Sequence, residues 1–133
     1  MAELRPANPP TRGRLLRSFG YALRGVAAVL VTQANARIHA AATILVIAAS
    51  WWLQLSALEW CVVVLAIGGV WMAEAFNTAI EALVDLVSPE YHPLAARAKD
   101  VAAGAVLCAS IAAVIVASII FLPKLAAVLR PAH

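Results

Sequence analysis

The chain has 133 residues, 64% of them hydrophobic and only 13% charged, with a mean hydropathy of +0.89. That composition excludes an ordinary soluble domain and marks an integral membrane protein; the length allows three spanning helices plus one surface segment, so any site must be built from the spans and their edges. The net charge of +3 is modest, but Arg5, Arg12, Arg14, Arg17, Arg24 and Arg37 all precede the first predicted span, a cluster that suits an anionic membrane surface and, lacking any nucleic-acid motif, excludes a nucleic-acid partner.

Residues 1–12 combine prolines and charges without the apolar core of a signal peptide, and are expected to remain as a loosely ordered tail. From Arg14 to about Ala36 the pattern predicts a surface helix. Leu15, Leu16, Phe19, Leu23, Val26 and Leu30 share one face, with Arg14, Arg17, Tyr21 and Arg24 opposite, as in an amphipathic helix lying in the membrane interface. Arg37 would fall on the apolar side if that helix ran on, so a change of direction is expected between Thr32 and Ala36.

The first span is predicted over 40–58, an uncharged stretch with Trp51 and Trp52 as interfacial anchors near its far end. His39, at its mouth, reads as an interfacial hydrogen-bonding residue. The connection from Gln54 to Trp60 holds only Glu59, whereas Ser88 to Asp100 carries Arg97 and Lys99. The positive-inside bias therefore puts the N-terminus in the cytoplasm and returns the second span, 60–87, inward. A proline-marked turn over Ser88–Pro93 leads to the third span, 101–122, with Lys124 and Arg130 outside. Cys61 and Cys108 sit in apolar runs without metal-ligand spacing and read as packing residues. Gly68, Gly69 and Gly104 are expected to permit close helix contacts.

The chemistry concentrates in the second span, in Glu74-Ala-Phe-Asn77-Thr78-Ala-Ile-Glu81-Ala-Leu-Val-Asp85. At about 100° per residue, Glu74, Asn77, Thr78, Glu81 and Asp85 fall within roughly a third of the helix circumference. An acidic side chain in the bilayer interior costs roughly 3 kcal/mol on insertion scales, so something must offset this stripe. Basic residues of neighbouring helices would do so in a purely structural role. Alternatively, the carboxylates, amide and hydroxyl are the hard oxygen ligands that magnesium takes together with substrate phosphates. Arg97, Lys99 and Asp100, at the depth where the stripe ends, are open to the same two readings: they neutralise Glu81 and Asp85, or they hold nucleotide phosphates.

The stretch from Glu74 to Asp85, then Ser88-Pro-Glu-Tyr-His92, then Ala98-Lys-Asp-Val-Ala-Ala-Gly-Ala-Val-Leu107, closely resembles the signature of the bacterial diacylglycerol kinase family, which includes the undecaprenol kinases. The resemblance extends upstream through Arg14, Gly20-Tyr21, Arg24-Gly25 and Thr32 to His39. It implies an all-α homotrimer of three-span subunits in the bacterial cytoplasmic (inner) membrane, each with an interfacial N-terminal helix, and active sites shared between neighbours. The implied reaction is transfer of the γ-phosphoryl group of ATP, with Mg2+, to a membrane lipid alcohol. By the same resemblance Glu74 is the catalytic proton acceptor and Glu81 the metal ligand. Asn77, Arg14 and Arg37 join Glu74 at the lipid substrate, while Arg14, Tyr21, Gln33, Glu81, Asp85, Glu90, Tyr91, His92, Lys99 and Asp100 surround the nucleotide.

One position departs from the pattern. Where the family commonly has a second metal-binding glutamate, this chain has Gln33, which offers a single neutral carbonyl oxygen to a metal. The wording of Thr32-Gln-Ala-Asn35-Ala-Arg37-Ile-His39, Pro93-Leu-Ala and Val101-Ala-Ala-Gly-Ala looks more like the undecaprenol kinase branch than the branch acting on diacylglycerol. A competitor of another class is a small oligomeric channel or assembly subunit whose acids line a cation path.

Overall fold

A computed structural model describes residues 11–130, with side chains from Gly13 onward. The tail expected over 1–12 thus lies outside the described residues except for Thr11 and Arg12, which open the first helix. The described residues form four helices: α1 (Thr11–Thr32), α2 (Ala34–Trp52), α3 (Ala57–Val87) and α4 (Pro93–Leu129). Helices α3 and α4 form a long antiparallel hairpin, α2 lies against α3, and α1 touches α2 and α3 near its C-terminal end, where Val29 is buried while Arg14, Leu15, Phe19 and Leu23 are exposed.

Three of the four helices are long and apolar enough to cross a membrane: α1 from Gly13, α3 and α4. Length and hydropathy thus single out α1, where the sequence pattern suggests a surface helix, and pass over α2, where it suggests the first span. The cause lies at the start of α2, where Asn35, Arg37 and His39 interrupt a helix otherwise made of apolar residues apart from Thr43 and Ser50.

Local chemistry sets the boundaries, and several differ from the spans expected. The chain breaks at Gln33, whose backbone is extended (φ −102°, ψ 121°) while its N–H still closes the last turn of α1 on the Val29 carbonyl at 2.9 Å. Helix α2 ends at Trp52 and not at Leu58. A tight link follows, with Gln54 in the left-handed region (φ 50°), and Ser56 then starts α3. The Ser56 hydroxyl accepts the Glu59 N–H, and the Glu59 carboxylate accepts the Ser56 N–H at 2.7 Å, so the two satisfy each other's end groups. Helix α4 begins at Pro93 and not at Val101, because proline suits a first helical position whose N–H has no partner to lose, and the His92 imidazole caps it by accepting the Leu94 N–H. It continues through Pro123 to Leu129, past the end expected at Leu122.

The fold is apolar at one end and polar at the other. Near the α2–α3 link, Leu53, Leu55 and Val63 are buried against Val46, Trp60, Ile67, Phe121 and Leu125. Trp51 meets Trp60 edge-on at 5.6 Å, and Lys124 pairs with Glu59 at 3.2 Å. Midway, the Trp71 indole N–H donates to the Thr43 hydroxyl at 3.1 Å, fixing α2 on α3. The close helix contacts expected at Gly68, Gly69 and Gly104 are not made among the described residues, since a Cβ built at each meets nothing within 4 Å.

Candidate active site

Helix α3 carries the polar stripe through a gradient of depth. At about 1.5 Å per residue, Glu74 lies about 21 Å from Trp60 along the axis, Glu81 about 32 Å and Asp85 about 38 Å. With Trp60 at one face of a hydrocarbon layer roughly 30 Å thick, Glu74 is submerged, Glu81 sits at the opposite boundary and Asp85 lies beyond it. Burial follows the same order: Glu74 is 1% exposed and Asn77 6%, Glu81 is half-buried, and Asp85 is exposed.

The two halves of the stripe are neutralised differently. Asp85 forms an ion pair with Lys99, both at the water-facing end. Among the described residues Glu81 has no cationic partner and is held by two amides instead: Gln33 Nε2 donates to Oε2 at 2.9 Å and Asn77 Nδ2 to Oε1 at 3.2 Å. Gln33 reaches Glu81 because the helix break turns its side chain toward α3, and for the same reason it makes no cap on α2. Both oxygens of Glu74, and Asn77 Oδ1, are buried without a hydrogen-bond partner among the described residues. Such orphaned groups are expensive, a carboxylate most of all.

These groups face a cavity of about 270 Å³ whose polar lining comprises Gln33, Asn35, His39, Glu74, Asn77, Glu81 and Ser110, with Ile38, Ala103, Val106 and Leu107 as its apolar wall. Among the described residues no lysine or arginine lines it. Glu81, a carboxylate held only by neutral amides among the described residues, suits a small hard cation when phosphate oxygens share it. A second cavity, about 290 Å³, opens at the α3–α4 turn and gathers Asp85, Ser88, Glu90, Tyr91, His92 and Lys99. Acid, hydroxyl, aromatic ring, imidazole and ammonium there form a polar mouth next to the buried one.

The model of one protein family, prokaryotic diacylglycerol kinase, matches residues 20–121, a range that contains all of α2 and α3 and most of α4. The chain belongs to the prokaryotic diacylglycerol kinase family. An undecaprenol kinase of Bacillus subtilis is 44% identical over 112 residues, covering 84% of this chain and 91% of that protein. A diacylglycerol kinase of a Synechocystis species is 49% identical over 112 residues, covering 84% of this chain and 64% of that protein. A diacylglycerol kinase of Escherichia coli is 36% identical over 102 residues, 77% of this chain and 84% of its own length. The chain is therefore a lipid kinase, a phosphotransferase with an alcohol acceptor, and not the cation-path subunit that an acidic stripe alone leaves open.

Within this member of the diacylglycerol kinase family, the expected site residues divide into three sets. Gln33, Glu74, Asn77 and Glu81 share the buried cavity, and Asp85, Glu90, Tyr91, His92 and Lys99 share the outer one. Arg14, Tyr21, Arg37 and Asp100 are exposed and line neither; Tyr21 instead carries the Arg24 guanidinium over its ring at 4.8 Å. Asn35, His39 and Ser110 line the buried cavity although the sequence assigns them no part in the chemistry. A signal for Ser110 exists, since Lys99, Ala103, Val106 and Ser110 recur at helical spacing on α4.

Proposed function

We propose that this lipid kinase transfers the γ-phosphoryl group of MgATP to the primary hydroxyl of undecaprenol, giving undecaprenyl phosphate and ADP. The observation that supports this most directly is Glu74, a carboxylate 1% exposed with both oxygens unpartnered, facing a cavity at membrane depth. A carboxylate left free in such a place is suited to accept the proton of a lipid hydroxyl as its oxygen bonds to the γ-phosphorus and the β–γ bridging P–O bond breaks. Asn77, which lines the same cavity, would support Glu74 at the lipid substrate.

Glu81, with Gln33 beside it, would hold magnesium, which when bound neutralises triphosphate charge. Asp85, Glu90, Tyr91, His92, Lys99 and Asp100 would hold the nucleotide at the outer cavity. In this reading α1 lies in the interface with Arg14, Arg17 and Arg24 toward the headgroups, and α2 spans the inner membrane. The N-terminus and the outer cavity then face the cytoplasm. Arg14 and Tyr21 complete the nucleotide site, and Arg37 meets the lipid headgroup region, in a homotrimer with shared sites. A groove of small residues between α3 and α4, at Ala66, Gly69, Ala109, Ala112 and Ala113, would admit a neighbouring helix.

Diacylglycerol is the second reading, favoured by the identity to the Synechocystis enzyme. Purified protein in mixed micelles, given γ-labelled ATP, magnesium and both lipids in competition, is expected to label undecaprenol preferentially. Preferential labelling of diacylglycerol would reverse the substrate, and labelling of neither would overturn the kinase reading.

A further inference from the structure

We propose that Gln33 makes this site nucleotide-first, so that Glu81 takes a magnesium ion together with a triphosphate and not from free solution. The inference rests on the kinase reading of the cavity. Its observation is the direction of two hydrogen bonds: both Glu81 oxygens accept from side-chain amides, Gln33 at 2.9 Å and Asn77 at 3.2 Å. With its amide reversed, Gln33 would set a carbonyl oxygen against a carboxylate oxygen at that distance, a repulsive arrangement that needs a cation or a proton between them. The NH2 group therefore fills the cation's place at Glu81.

The protein offers little to outbid it. Among the described residues no three acidic, histidine or cysteine side chains converge as a metal site. The other carboxylate of the cavity, Glu74, springs from the helix two turns deeper, about 10 Å along the axis, and makes no hydrogen bond to Glu81 or to the amides that hold it. A single carboxylate with neutral amides is a poor site for magnesium, which keeps most of its waters until phosphate oxygens join. The triphosphate supplies the missing charge, and Gln33 then turns its carbonyl oxygen inward by rotation of its terminal torsion. Gln33 is in this sense a positioning residue with two settings.

The test uses the full chain in detergent with Mn2+ as a paramagnetic probe, titrated alone and then with a non-hydrolysable ATP analogue. The wild type is expected to bind Mn2+ only when the analogue is present. Gln33→Glu places two carboxylates face to face and is expected to tighten binding of Mn2+ alone by at least tenfold, while its binding of the Mn2+–analogue complex reports that it is folded. Should that variant fail to fold, Asn77→Asp adds a carboxylate at the other Glu81 oxygen and carries the same expectation. Glu81→Gln should abolish the gain in either background. Wild-type protein that binds Mn2+ alone as tightly as Gln33→Glu would overturn the inference and leave the kinase reading standing. Wild-type protein that binds neither Mn2+ alone nor its complex with the analogue would overturn both.

Discussion

Replacing Glu74 by glutamine should move activity and stability in opposite directions. The side chain keeps its shape but loses its charge and its capacity to accept a proton. General-base catalysis contributes roughly 10²- to 10⁴-fold, about 3 to 5 kcal/mol of barrier, so kcat should fall by that factor. The folded state should gain, because a carboxyl 1% exposed with neither oxygen partnered carries an uncompensated burial penalty, and leaving such a group unsatisfied costs about 1–3 kcal/mol or more when it is charged. Glutamine remains unpartnered but is neutral, so a gain of about 1 kcal/mol is expected. The assays are phosphate transfer from labelled ATP, equilibrium binding of a non-hydrolysable analogue, and thermal unfolding in the same detergent. The expected set is turnover lost, binding retained within a few-fold, and a raised midpoint. Turnover within tenfold of wild type, or loss of nucleotide binding along with turnover, would refute the base assignment.

The remaining predictions separate chemistry from scaffold. Lys99→Met removes an exposed partner of Asp85; stability should change by less than about 1 kcal/mol, whereas KM for ATP should rise about tenfold or more, and unchanged KM would remove Lys99 from the nucleotide site. Ser56→Ala deletes the reciprocal cap of α3 and should cost about 1 kcal/mol in unfolding experiments with phosphate transfer per folded molecule unaltered. Gln54→Gly relieves a left-handed backbone at φ 50° and should stabilise by up to about 1 kcal/mol, seen as a higher unfolding midpoint with unchanged kcat.

The chemistry of this chain was more legible than its geometry. The stripe from Glu74 to Asp85 shows its polar face through helical spacing alone, and its acids are conspicuous because the surrounding residues are apolar. Two boundaries also left readable signals: Ser56-Ala-Leu-Glu59 is a capping box ahead of an apolar run, and Pro93 is a helix-starting proline. The continuation of α4 through Pro123 left none, since a proline between an apolar run and a lysine reads as a stop. Nor could spacing show which acid is neutralised by a cation. Asp85 is paired with Lys99 while Glu81 is held by amides and Glu74 by nothing, and that division depends on how α4 and the α1–α2 break are placed against α3. His39 escaped for the same reason: its place in the cavity depends on which face of α2 meets α3, and α2 is apolar on nearly every side.

That division also accounts for how one helix can serve a lipid and a water-soluble nucleotide at once. Glu74 and Glu81 are separated by two turns, about 10 Å along the axis. Reacting atoms approach to about 3–3.5 Å, and magnesium ligands stand about 2 Å from the ion. The interval therefore has room for one lipid hydroxyl and one phosphoryl group between the proposed base and the proposed metal ligand, and not much else. Four residues further on, Asp85 has reached water and pairs with Lys99, where the rest of a nucleotide can remain solvated. A shift of the stripe by one residue would turn Glu74 by about 100° toward lipid, and moving it a whole turn outward would bring Glu74 about 5 Å closer to water, where its oxygens would find partners. The spacing thus keeps an unpartnered carboxylate buried and a paired one exposed, on a single helix.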